Sequence, residues 1–407
     1  MNDVSVRTLR WELVRAASAG LLETAYFTFA LLIAIEKFEA SSTAKSLLLS
    51  SQFMGLLVSL FLPALLSRSG WSAPKIAMVF SLAGAWGFGL AFLHRDSEVG
   101  YLLGMCMGFF FMALQVPLQT QWLRANVEEG MRGRFFGWMT LTRAGVSIAF
   151  GVFAGAMLGE DFGKADGLLL VFAVATLIQA FAVSRIPAPT PEEGRNRRLG
   201  VFAAMRWARH DHRFRRVLIS AMVLGMGVLM TVALRVDYLV LERYGWRCSP
   251  EQVVFLTTTL PAITRVVGSL FWGRLFDRMN VFRLRVVLNG LFVVAVALFF
   301  WSPLFWGIAV GAGIFGLARS GGEIVWNLWV TKLAQPEHTG EYMAVHTFFT
   351  GVRGLVAPFL GFALSSSLGL PVMVGLCVTL MLISVIVVWP LLREDDGPMQ
   401  VAERKGG

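Results

Sequence analysis

The sequence predicts an all-α membrane protein of about twelve transmembrane helices, arranged as two pseudo-symmetric six-helix bundles. Three observations predict it. Only 15% of the 407 residues are charged and 56% are hydrophobic, whereas soluble domains run at roughly 25% charged. The apolar residues come in runs of about 20, the length that crosses ~30 Å of hydrocarbon at 1.5 Å per residue. The second half of the chain also repeats landmarks of the first.

Continuous apolar runs place helices at about 14–36, 44–66, 74–93, 99–122, 134–158 and 166–186. Six more follow at about 217–241, 252–273, 284–301, 305–331, 341–365 and 370–392. The basic N-terminus leading into an apolar stretch looks like a secretion signal at first. That stretch is too long, contains Glu23 and ends without a small-residue cleavage site, so it is read as a retained first membrane helix.

An even number of spans puts both termini on one side. Positively charged loops resist translocation, and with the N-terminus in the cytoplasm 25 of the 36 Lys and Arg fall on that side, six on the other and five inside helices. Both termini are therefore expected in the cytoplasm and the chain in the cytoplasmic (inner) membrane. The one long hydrophilic connection divides the chain into a first bundle at 1–186, a basic cytoplasmic linker with an amphipathic helix at 187–216, and a second bundle with a short tail at 217–407.

The net charge of +10 does not indicate a nucleic-acid partner, because the basic residues sit in short segments between apolar runs. Cys106, Cys248 and Cys377 show no paired spacing, and the five histidines have no metal-ligand spacing, so neither a disulfide framework nor a metal or cofactor is expected.

A shift of 210 lays Pro63–Gly70 over Gly273–Asn280 with leucine and arginine coinciding, and a shift of 207 aligns Trp122 with Trp329 and Gly133 with Gly340. Two six-helix halves repeated in parallel are a transporter plan with the solute site between them. The segment Gly273-Arg-Leu275-Phe-Asp277-Arg278, followed by Arg283 and Arg285, resembles the loop signature of the major facilitator superfamily, as does Arg132-Gly133-Arg134 before the fifth helix. The resemblance implies a cytoplasmic gating motif at Gly273, Asp277 and Arg278, with the glycine allowing close helix approach. The first half departs from the signature, with Ser67 in place of the aspartate and Pro63 in place of the glycine. The glycine-proline signature of antiporters is missing from the fifth helix.

Ionisable groups in a bilayer cost about 2.5–3.5 kcal/mol each on insertion scales, so each needs a partner, water or a task. Glu23, Arg143, Arg265, Arg319, Glu323 and Arg353 lie inside spans, with Arg235 and Asp237 nearer the outer end of the seventh. Arg319, Glu323 and Asn327 share a helical face at four-residue spacing, which allows an internal ion pair. Gln115 and Gln119 form a polar stripe on the fourth helix. Five arginines against three acids leave an excess of two positive charges. Arg143, Arg265, Arg319 and Arg353, with Gln115, Gln119 and Asn327, are therefore candidate contacts for a small organic anion, since guanidinium forks match carboxylates and phosphates. Glu23 and Glu323 are the candidates for proton coupling, Glu23 because no charged residue lies four positions away on its own helix. Arg235 is expected to snorkel outward, and Trp326 and Trp329 to anchor at the interface.

The reading is a monomeric secondary active transporter working by alternating access on a small-molecule substrate in the lipid bilayer, with the proton as candidate coupling ion. A multidrug or metabolite exporter with an apolar cavity is the alternative within transport. A membrane solute sensor or membrane enzyme is the less favoured reading, since the tail is short and polar where a sensor would carry a folded output segment, and the five histidines are scattered without metal-ligand spacing; no G-x-x-x-x-G-K-[ST] loop implies ATP.

Overall fold

The computed structural model describes residues 3–62, 69–188, 201–335 and 338–394; the side chains of 129, 130, 201–204, 327 and 331 lie outside that description. Twelve helices among these residues are long and apolar enough to cross a membrane. In the first half they are α1 (Asp3–Glu36), α2 (Ser42–Phe61), α3 (Ala73–Leu93), α4 (Glu98–Asn126), α5 (Met131–Glu160) and α6 (Phe162–Ser184). In the second they are α7 (His212–Val240), α8 (Pro250–Arg278), α9 (Val281–Trp301), α10 (Phe305–Leu333), α11 (Thr339–Leu368) and α12 (Leu370–Arg393).

Helix starts follow local chemistry. Ser41 caps the Ala44 N–H, Asp211 caps those of Arg213 and Phe214, and Ser249 with Gln252 makes a capping box ahead of Pro250. Several helices outrun the apolar stretches that predict them. α1 begins at Asp3 and α10 continues to Leu333, because a helix can project its polar end beyond the hydrocarbon. The seventh span likewise begins at His212, within the basic stretch read as linker. The preceding amphipathic helix, Val201–His210, docks on α11, where Arg206 Nη2 reaches Glu341 at 3.2 Å and the Trp207 indole donates to the same carboxylate. Residues 189–200 of the linker and the tail after 394 lie outside the described residues.

The two halves pack by the same rules. In the first, α1 packs on α5 and α6, and α3 on α4 and α6; in the second, α7 packs on α11 and α12, and α9 on α10 and α12. The most extensive contacts between halves are themselves a symmetric pair, α2 with α11 and α5 with α8. Small residues set the approach inside a bundle. A Cβ at Gly104 would lie 2.4 Å from the backbone nitrogen of Ala91, so α3 and α4 pass almost backbone to backbone. The outer surface keeps large apolar side chains such as Leu103, Phe153, Leu270 and Ile386 exposed. In water such a belt would be a liability; in hydrocarbon it is the face the bilayer requires.

An even count of twelve spans puts Asp3 and Glu394, the first and last described residues, at the same face of the bundle, the terminus side. Toward the far side the halves are fastened. Lys45 Nζ of α2 sits 2.5 Å from Asp237 Oδ2 of α7, with both side chains almost fully buried. Ser50 donates to the Leu355 carbonyl at 2.9 Å, and Gly155 of α5 packs against Val254 of α8.

Candidate functional site

Near the middle of the bundle, α1 and α8 each depart from α-helical winding. Ala25–Phe29 and Phe255–Thr259 are π-turns, which insert an extra residue and recur at functional positions. They meet across the halves, where Thr28 Oγ1 lies 2.6 Å from both Thr257 Oγ1 and Thr258 Oγ1.

Immediately beside these turns is a five-residue ionic cluster. Glu23, only 7% exposed, accepts from Arg265 through both terminal nitrogens at 2.6 and 3.1 Å, from Arg143 Nε at 2.7 Å and from Arg319 Nη2 at 3.1 Å. Glu323 accepts from Arg319 Nε at 3.0 Å and lies 3.6 Å from Arg265 Nη1. Glu23 and Arg143 belong to the first half and the other three to the second, so two of the ion pairs cross the boundary. Three guanidiniums face two carboxylates, an excess of one positive charge. Burying ion pairs is weak evidence for stability, since desolvation offsets the attraction. A group of five charges at the membrane centre therefore points to a task.

The cluster is wet on one side. The side chains of Arg143 and Glu323 are 44% and 46% exposed, and with the far side fastened the opening is toward the terminus side. The Arg319 guanidinium carbon also rests 4.4 Å above the Phe27 ring and borders two cavities. One is a gap of about 10 Å³ at the boundary beside Glu23 and Arg265, and the other a cavity of about 240 Å³ between α7, α9, α10 and α11.

The structure brings together Glu23, Arg143, Arg265, Arg319 and Glu323 from the sequence-predicted set. Arg353 lies apart, in the larger cavity. Its Nη1 donates to the Ala221 carbonyl at 2.5 Å. Gln115 and Gln119 do not join the site. The Gln115 amide oxygen accepts from Ser81 at 3.1 Å and from Gln179 at 2.9 Å, and Gln119 donates to buried Glu12 at 3.0 Å. Their stripe faces neighbouring helices of the first half because Ser81, Gln179 and Glu12 offer partners there. The Asn327 side chain lies outside the described residues.

In the segment expected to serve as a gating motif, Asp277 and Arg278 are exposed at the terminus-side end of α8, with no ion pair among the described residues. A Cβ added at Gly273 would meet nothing within 4 Å, so the close helix approach expected of that glycine is not made in this conformation. The matching first-half segment, 63–68, lies outside the described residues.

Three further expectations change. Glu23 has no charged neighbour on its own helix, yet three arginines reach it from α5, α8 and α10. Arg235 does not snorkel outward; its guanidinium is buried 3.5 Å above the Phe315 ring and 4.9 Å from that of Phe299, a cation held on aromatic faces. Trp329 is fully buried rather than interfacial and donates to His346 Nδ1 at 3.0 Å, while Trp326 borders the larger cavity.

Arg285 was missed. Reading it as a trailing basic residue of the α8–α9 loop put it in the cytoplasm, but it is 7% exposed on α9 and borders the larger cavity. Its place four residues before Asn289 on one helical face was the available signal.

The Major Facilitator Superfamily, as a family profile, matches residues 15–304 and 248–407. The chain belongs to that superfamily. Among solved structures, this superfamily member is similar to the nucleoside transporter NupG, at 12% identity and TM-score 0.74 over 96% of this chain and 98% of that one. The xylose transporter XylE from E. coli, in a partially occluded inward open conformation, matches at 11% identity and TM-score 0.69 over 96% and 98%. A bacterial homolog of the human lysosomal transporter Spinster matches at 13% identity and TM-score 0.63 over 96% and 94%. At these identities the likeness establishes the fold alone. No curated protein matches the chain in sequence. The all-helical, multi-pass architecture with two related bundles is that of superfamily transporters, and is consistent with secondary active transport by alternating access.

Proposed function

We propose that the chain is a secondary active transporter that moves a small organic anion across the cytoplasmic membrane by alternating access, acting as a monomer with both termini in the cytoplasm. The observation that carries this reading is Glu23 of the first half bonded to Arg265 and Arg319 of the second at the membrane centre. Rocking of one half against the other must break and remake these bonds, and an anion entering from the open side competes for the same guanidiniums. Coupling to a proton fits the same geometry, because a protonated Glu23 no longer compensates the arginines and leaves them to the substrate.

The charge balance supports the substrate class. The cluster carries one surplus positive charge, and the adjoining cavity adds Arg285 and Arg353, neither paired with a carboxylate among the described residues. An arginine-rich lining favours an anion over the apolar solutes of a drug exporter. Orientation follows the basic loops. Removing Arg285 from the tally, because it lies inside the bundle, leaves 24 Lys and Arg on the terminus side against six on the far side.

Uptake of radiolabelled organic anions into proteoliposomes, with and without a pH step, tests the proposal. Saturable anion uptake that is lost in Arg265→Gln, and that loses its pH dependence in Glu23→Gln, is expected. Uptake of no anion, or anion uptake unchanged in both variants, ends it.

A further inference from the structure

The larger cavity has no counterpart in the ionic cluster's chemistry. The cluster's arginines, Arg319 at the shared border included, already hold carboxylates; among the described residues Arg285 and Arg353 do not. Arg285 is 7% exposed, its Nε has no hydrogen-bond partner among the described residues, and its guanidinium lies 5.7 Å from the Trp329 ring. Arg353 uses Nη1 on the Ala221 carbonyl and leaves Nε without a partner. Its guanidinium lies directly on Gly225, where a Cβ would stand 1.9 Å from Nη1, so the glycine makes the room it occupies.

His346 completes the set. It is 1% exposed, and its Nδ1 is 3.0 Å from the Trp329 indole nitrogen. An indole N–H only donates, so Nδ1 accepts and the proton of the neutral ring is on Nε2. That Nε2 has no partner among the described residues. Two uncompensated guanidiniums and one imidazole N–H thus border one cavity, and their free donors call for an acceptor with several oxygens and a negative charge.

Most of the remaining wall is apolar or aromatic, including Leu224, Phe292 and Trp326; Asn289 adds an amide, and Arg319 and Glu323 of the cluster, bonded to each other at 3.0 Å, form one border. A cavity of 150 Å³ holds benzene, so about 240 Å³ accommodates a solute on the order of ten non-hydrogen atoms. All four bordering helices belong to the second half.

We infer that Arg285, Arg353 and His346 form the seat for the oxyanion head of a small organic anion with an apolar body, placed within the second half beside the Glu23 cluster. Arg319 borders both the seat and the cluster, and so connects occupancy of the one to the ion pairs of the other. The inference rests on the transport reading for its purpose, but binding is measured without transport.

The test is calorimetric titration of the purified full chain in lipid nanodiscs with benzoate, hexanoate and phenyl phosphate, beside neutral benzyl alcohol and cationic benzylamine. At least one of the anions is expected to bind and the neutral and cationic compounds not to. Arg285→Gln and Arg353→Gln are each expected to weaken binding by roughly tenfold or more, the loss of a charged hydrogen-bond donor. Tighter benzoate assigns a carboxylate head and tighter phenyl phosphate a phosphate monoester; either supports the seat. Gly225→Ala keeps every charge while displacing the Arg353 guanidinium, and its weakened binding decides the matter where an arginine variant does not fold. The inference is overturned if none of the anions binds, if benzyl alcohol binds equally well, or if the folded variants stay within about twofold of the parent. Anion binding without proteoliposome uptake would keep the seat and remove the transport reading.

Discussion

Arg265 holds Glu23 through both of its terminal nitrogens, at 2.6 and 3.1 Å, across the boundary between the two halves of the molecule. The pair is almost completely buried, with side-chain exposures of 4% and 5%. It therefore behaves as a desolvated pair, whose members cannot be removed singly without leaving a charge stranded.

A double-mutant cycle follows from that geometry. Glu23→Gln leaves Arg143, Arg265 and Arg319 facing one carboxylate and is expected to destabilise the protein by about 3–5 kcal/mol. Adding Arg265→Gln should restore part of that loss. Denaturant unfolding of the two single variants and the double variant in detergent measures the coupling, and additive losses would contradict a direct pair.

Trp329→Phe removes the donor to His346 Nδ1 while keeping an aromatic ring in place. A cost of about 1–3 kcal/mol is expected for the orphaned nitrogen. The imidazole nitrogen shifts in NMR spectra should lose the single-tautomer signature that the indole imposes. A spectrum identical to the parent's would show that something else fixes the ring.

Gln115→Ala should act on stability alone. Its amide oxygen accepts from Ser81 and Gln179 inside the first half, so about 1–3 kcal/mol is expected to be lost on thermal unfolding. The KM for transport should stay at the parent value; a raised KM would return Gln115 to the substrate path.

Thr28→Val removes the hydroxyl that lies against both Thr257 and Thr258. The loss of about 1 kcal/mol weakens the mid-bundle contact between the halves from which the far side closes, so cysteine probes placed on that side should label faster. Unchanged labelling would mean that the two π-turns contribute nothing to closure.

Much of the fold could be read from the sequence, because run length and the placement of Lys and Arg are local signals with strong physics behind them. The Arg319–Glu323 pair could be read for the same reason, being four residues apart on one helix. The Glu23 cluster could not. Its arginines lie 120, 242 and 296 residues away in sequence, and residue 23 alone says nothing about which helices will face it. Arg285 was hidden by a different ambiguity, since a basic residue at a helix start reads equally as a loop anchor. Trp329 was misread because tryptophan suits both an interface and a buried donor role, and only the position of His346 on another helix separates the two.

The Lys45–Asp237 contact at the far side differs from a rivet. An ammonium and a carboxylate kept dry each forgo several kcal/mol of hydration, which they recover once water enters between them. Much of the attraction lost on parting is thus offset, and the contact sits near thermodynamic balance. In the proposed transport cycle, opening at that face then needs only the few kcal/mol that a bound solute supplies by favouring one conformation over the other.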